Sequence, residues 1–132
     1  MRCTQRLQMR SIFRTMITKK SADEIALLAE AGALLAHVLD ELANEAVPGA
    51  ATIAIDDRAM ELAEELGVEP LLLGYHPAFA ARPYPAAVCV SVNDCVQHGI
   101  PREEQVLADG DVVDIDMSIG YRGLVVDAGR TV

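Results

Sequence analysis

The 132-residue chain has no tryptophan and only 4% aromatic residues, so its core has to be assembled from Ala, Val, Leu and Ile. It has no apolar run approaching the roughly 20 residues of a membrane-spanning helix. Its three cysteines, Cys3, Cys89 and Cys95, are odd in number and form no Cys-x-x-Cys pair. That pattern excludes a disulfide scaffold and a zinc finger and fits a reducing compartment. Basic residues are scarce beyond position 20, where five stand against all 20 acids, a formal charge of −15. Such a surface suits neither nucleic-acid phosphate nor an anionic membrane, but it tolerates bound cations well. No internal repeat is present.

What remains is an ordinary globular composition, 52% hydrophobic and 23% charged, sized for one domain with its own core. Residues 1–20 hold six bases and no acid. Residues 1–15 read as a basic N-terminal extension, disordered or upstream of a native start at Met16, with an organellar transit peptide as the alternative. The domain proper is expected over 16–132. Ser21-Ala-Asp-Glu24 is a capping box, and Ile25, Leu28, Leu35, Leu39 and Leu42 follow at helical spacing to about Asn44. After Pro48-Gly49, Thr52 is the expected N-cap of a second helix closed by Gly67. Strands are expected over 68–73 and 87–93, with proline-rich loop 77–87 between them and polar loop 101–110 after them. Helix, helix, then antiparallel sheet defines an α+β arrangement, two helices packed on an antiparallel β-sheet.

The last stretch, Asp111 to Val132, reads as a hairpin of two β-branched runs around Gly-Tyr-Arg-Gly. Val113, Ile115, Met117 and Ile119 share one face of the first strand, and Asp114, Asp116 and Ser118 the other. A two-residue loop at Tyr121-Arg122 sets Asp116 directly opposite Asp127. Facing carboxylates about 4.5–5.5 Å apart repel, and a shared divalent cation would relieve them. A longer or shifted turn would instead send one aspartate to solvent.

Three features have chemical potential: Gly74-Tyr75-His76, His98-Gly-Ile-Pro101, and the Asp116…Asp127 pair. Taken singly, the histidines read as hydrogen-bonded loop residues, His37 as a surface residue of the first helix, and Cys89 and Cys95 as small buried hydrophobes. Taken together, the chain from about Met16 resembles type I methionine aminopeptidases, metallopeptidases of the pita-bread fold. The resemblance runs through Leu73-Gly-Tyr-His76, Val88-Cys-Val-Ser-Val-Asn93, His98-Gly-Ile-Pro101 and Asp109-Gly-Asp-Val-Val-Asp-Ile-Asp116. An Asp stands 18 residues after His98 and another 11 further on.

The resemblance implies the N-terminal half of a pita-bread fold and hydrolytic removal of the initiator methionine from nascent polypeptides. It implies two divalent metals (Mn, Fe, Co or Zn), with Asp116 and Asp127 as metal ligands. His98 would be catalytic and would bind the substrate at its scissile amide, while Tyr75, His76 and Cys89 would line the pocket for the methionine side chain. The implied setting is cytoplasmic, with nascent N-termini as partners and the ribosome or a C-terminal half chain as further ones. The family's other ligands, one His and two Glu, lie in a second half beyond this point, so the chain alone is expected to be truncated and inactive. Departures include a longer 77–87 loop, Gln97, Asp114, and Val126-Asp127-Ala128 in place of Gly-Asp-Thr. Two other functions are compatible with the sequence: a non-catalytic pita-bread-like protein-binding module, and a proline dipeptidase-like hydrolase.

Overall fold

The computed structural model describes residues 18–132, so the reading of 1–15 as an extension lies outside the described residues. Helix α1 spans Ala22–Glu45. Its capping box forms as expected: Ser21 Oγ accepts from Glu24 N at 3.2 Å and Glu24 Oε2 accepts from Ser21 N at 2.7 Å. Two otherwise orphan N–H groups are thereby satisfied. One stripe of α1, Ala31, Leu35, Val38, Leu39 and Leu42, is buried. Helix α2 spans Thr52–Leu66 and ends at Gly67, whose φ of 64° is the left-handed stop that glycine permits.

Its start differs from expectation. The N-cap is Ala51, with no side-chain cap. Thr52 is instead fully buried: it accepts from Arg102 N at 2.9 Å and donates to Arg102 O at 3.1 Å. The hydroxyl is drawn away from its own helix because the Pro-Gly segment pairs with the supposedly free loop 101–110. Gly49 N donates to Leu107 O, Leu107 N to Ala50 O, and Thr52 N to Gln105 O.

The sheet has four antiparallel strands, β1 (Glu69–Pro70), β2 (Cys89–Val92), β3 (Val113–Tyr121) and β4 (Leu124–Thr131). Strand β3 is central, with β4 along one edge and β1 and β2 end to end along the other. β1 is shorter than the expected 68–73. Pro70 has no N–H to continue a ladder, and after Leu71 N bonds Ser118 O the chain turns away through Gly74 at φ 78°. β2 is likewise shorter than 87–93. Both helices cover the face formed by Val113, Ile115, Met117 and Ile119, all buried with Val90 and Val92 against Leu35, Leu39, Ile55 and Leu62. Burying each such side chain contributes about 1.5–3 kcal/mol. The opposite face carries the acids. No helix among the described residues is long and apolar enough to cross a membrane.

The hairpin corrects the expected register. Tyr121 is the last residue of β3 and pairs with Leu124, so the two-residue loop is Arg122-Gly123. Both loop residues have positive φ, 48° and 82°, as a type I′ turn requires, and glycine fits its second position. The slip is two residues. Each side chain therefore keeps its face while its partner changes.

Candidate metal centre and adjoining pocket

Asp116 pairs with Gly129, and Asp127 with Ser118. The two aspartates are thus diagonal neighbours on one face of the ladder, not the directly opposed pair of the sequence reading. Diagonal positions lie about 7–8 Å apart at Cα, within reach of one or two ions held between the carboxylates. Gly129 keeps that space open. A Cβ added there would stand 3.7 Å from Asp116 Cβ and 3.8 Å from Asp114 Oδ1, so anything longer would project among the carboxylates.

The electrostatics match. Burial pushes the Asp116 carboxyl above its ordinary range, repulsion from Asp127 and then Asp114 pushes it further, and the His98 imidazole opposes them. Neither Asp116 nor Asp127 takes part in any ion pair among the described residues. Asp127 is oriented by the Ser118 hydroxyl, which donates to its Oδ1, and Asp114 Oδ1 accepts from Thr131 Oγ1 at 2.9 Å. Two neighbouring oxygen-donor carboxylates with no Lys or Arg paired to them among the described residues suit a hard or borderline divalent metal. They are not a full set, because no group of three or more His, Cys, Asp or Glu suited to a metal occurs among the described residues. A divalent cation of this kind takes about six ligands.

Beside the carboxylates lies a cavity of about 420 Å³, walled by Tyr75, Phe79, Tyr84, Cys89, His98 and Ile100 among others. Cys89 pairs with Asp116 across β2 and β3, which places the pocket floor next to the acidic face. Its thiol is buried, and burial pushes it above its usual range, with the three aspartates adding to the effect and the Tyr84 hydroxyl opposing it. Cys95, expected to be buried, is only partly so, and its thiol donates to Gln97 O at 3.7 Å. His98 sits at φ 57°, unusual for a residue with a Cβ. The next residue is held at both its polar groups: Gly99 O accepts from Val90 N and Tyr84 Oη, each at 2.9 Å, and Gly99 N donates to Ser91 Oγ at 3.2 Å.

The structure therefore brings Tyr75, Cys89 and His98 into one pocket beside Asp116 and Asp127. His76 is not among the lining residues; its Nε2 lies 3.1 Å from Ala80 O within the long loop. Sequence reasoning passed over Tyr84, Gly129, Ser118 and Asp56. Asp56 Oδ1 accepts from Ala87 N at 2.7 Å and Val88 N at 3.2 Å, fixing the entry to β2. Ser118 and Gly129 were recoverable, since the correct register puts one opposite each aspartate. Tyr84 and Asp56 act through contacts between segments that carry no local pattern.

Two carboxylates on one sheet face thus stand one strand away from an apolar pocket edged by a histidine. The description of metallopeptidase family M24 matches residues 26–132, and the chain belongs to that family. It is 40% identical over 112 residues to the methionine aminopeptidase of Aquifex aeolicus, covering 85% of this chain and 43% of that protein. It is 39% identical over 118 residues to methionine aminopeptidase 1 of Mycobacterium tuberculosis, covering 89% of this chain and 42% of that one. The crystal structure of the Thermotoga maritima methionine aminopeptidase superposes with a TM-score of 0.80 at 36% identity, covering 89% of this chain and 45% of that chain. The fold is thus the pita-bread fold, and the chain spans less than half the length of each of these three relatives.

Proposed function

We propose that this chain contributes one half of the active site of a methionine aminopeptidase, a cytoplasmic enzyme that removes the initiator methionine from nascent proteins. The observation that carries this reading is that Asp116 and Asp127 share one sheet face without an ion-pair partner among the described residues, Asp116 lying across the ladder from Cys89 of a pocket edged by His98. Asp116 and Asp127 would hold the divalent metal, Mn, Fe, Co or Zn, which would supply Lewis-acid polarisation of the scissile carbonyl and a lowered pKa for the attacking water. Ser118 aims Asp127, and Gly129 leaves the ion room. His98 hydrogen-bonds the scissile amide. Tyr75, Tyr84 and Cys89 exclude water around the unbranched methionine side chain, whose thioether suits an apolar, aromatic wall. His76 supports the wall through the loop.

Two aspartates cannot complete the coordination sphere, and no group of three or more metal-ligating side chains occurs among the described residues. The remaining donors therefore come from another polypeptide segment, such as a C-terminal half, lying over the acidic face. The isolated chain accordingly binds Mn²⁺ or Co²⁺ weakly and does not cleave a Met-Ala-Ser peptide. Calorimetric titration of the chain and of Asp116→Asn with Mn²⁺, with peptide turnover measured alongside, tests this. Weak saturable binding lost in the variant, without turnover, is expected. Robust turnover would place the full catalytic set within this chain and overturn the half-site reading. A protein-binding module is the second reading, favoured by the incomplete donor set; it predicts no saturable Mn²⁺ binding at all.

A further inference from the structure

The left-handed backbone of His98 has to be held in place. A residue with a Cβ is strained there and persists where its surroundings over-determine it. The surroundings are explicit. Gly99 is pressed so closely on β2 that an added Cβ would lie 2.2 Å from Val90 O. Its carbonyl is gripped by the Val90 amide and the Tyr84 hydroxyl, and its amide by Ser91 Oγ. Of these, only Tyr84 reaches in from outside the β2 edge. Its own backbone is anchored at both polar groups, Tyr84 N donating to Tyr75 O and Gly74 N to Tyr84 O, each at 2.8 Å. The phenol thus spans from the proline-rich wall of the pocket to the carbonyl of Gly99, the residue next to His98.

We propose that Tyr84 is a positioning residue whose hydroxyl holds the His98 imidazole at the pocket wall by clamping the carbonyl of Gly99, the residue after it. Without the hydroxyl, Gly99 O keeps only the Val90 bond. The 98–99 segment then relaxes toward negative φ, and the imidazole swings off its place beside Asp116. The catalytic consequence rests on the function proposed above; the positioning itself does not.

The test is NMR on the full chain with Tyr84→Phe, which keeps the ring wall and removes only the hydroxyl. In the wild type, the His98 ring should give one sharp resonance with NOEs to pocket protons. In Tyr84→Phe that resonance should broaden or split and lose those NOEs. The Val90 amide should exchange about five- to tenfold faster, as expected for loss of a neutral hydrogen bond that supports it. The His37 ring on α1 is the internal control and should not move. Ser91→Ala frees the amide of the same residue, Gly99, so the two substitutions should combine non-additively on His98. An unchanged His98 ring in Tyr84→Phe, or strictly additive effects, would overturn the proposal. Added Mn²⁺ separates the two ideas. If His98 responds to Tyr84→Phe but Mn²⁺ never broadens Asp116, the positioning stands and the metallopeptidase reading falls. If Mn²⁺ broadens Asp116 while His98 ignores Tyr84→Phe, the reverse holds.

Discussion

Replacing Asp116 by Asn should stabilise the metal-free chain. The carboxylate accepts no hydrogen bond from the described residues, so an isosteric amide forfeits nothing at that site, whereas the charge is half-buried and repelled by Asp127 and Asp114. At the diagonal ladder spacing of about 7–8 Å, two unit charges at an effective dielectric of 20 repel by about 2 kcal/mol. Asp127 is exposed, and screening at physiological salt reduces the value to about 1 kcal/mol or less. That corresponds to a rise of roughly 3–5 °C in Tm for a domain of this size. The sign follows from linkage. Because the folded pKa of Asp116 is raised, its stabilising contribution is complete below the ordinary Asp range and lost as pH rises through the folded value. The advantage of the variant should therefore vanish below about pH 4 and be full near pH 7. Metal reverses the order: Mn²⁺ at tenfold its Kd should raise wild-type stability by about 1.4 kcal/mol and leave Asp116→Asn unmoved. Urea or thermal unfolding in EDTA and in Mn²⁺ measures both. A variant less stable than wild type in EDTA, or one equally stabilised by Mn²⁺, would refute the reasoning.

Gly99→Ala should lose several kcal/mol, because its Cβ meets the Val90 carbonyl, a backbone atom with no room to retreat; urea unfolding reads the loss. Thr52→Val should cost about 1–3 kcal/mol by stripping the buried partner from Arg102 N and O, seen in the same assay and in faster exchange of the Arg102 amide. Asp56→Asn should be neutral or mildly stabilising at pH 7. Its one oxygen can still accept from Ala87 and Val88, while the charge whose burial raises its pKa is gone. Wild type should lose stability relative to this variant as pH climbs through the raised folded value, and a large loss in Asp56→Asn at neutral pH would contradict that.

The parts legible in the sequence are those governed by local rules. The Ser21–Glu24 box, the Gly67 stop and the alternation of β3 each follow from a few adjacent residues, and each appears where expected. The two-layer α+β arrangement followed from them. The hairpin register did not, because Tyr121 looked like a loop residue beside Gly120, whereas the left-handed geometry selected Arg122-Gly123. The shared face of Asp116 and Asp127 survived only because the slip was even. Long-range polar contacts were invisible: Thr52 with Arg102, Asp56 with Ala87, and Tyr84 with Gly99 join segments 15 to 50 residues apart. No periodicity encodes such pairs. They are also what fixes the pocket, so its construction was less legible than the strands and helices around it.

The central claim is that Asp116 and Asp127 jointly face one divalent cation. Paramagnetic broadening by substoichiometric Mn²⁺ in an amide-resolved NMR spectrum tests it most directly. The account predicts that Asp116, Ser118, Asp127 and Gly129 disappear first, while the acidic outer surfaces of α1 and α2 keep their signals. Broadening that begins on those helices, or spreads evenly over the acidic surface, would contradict it.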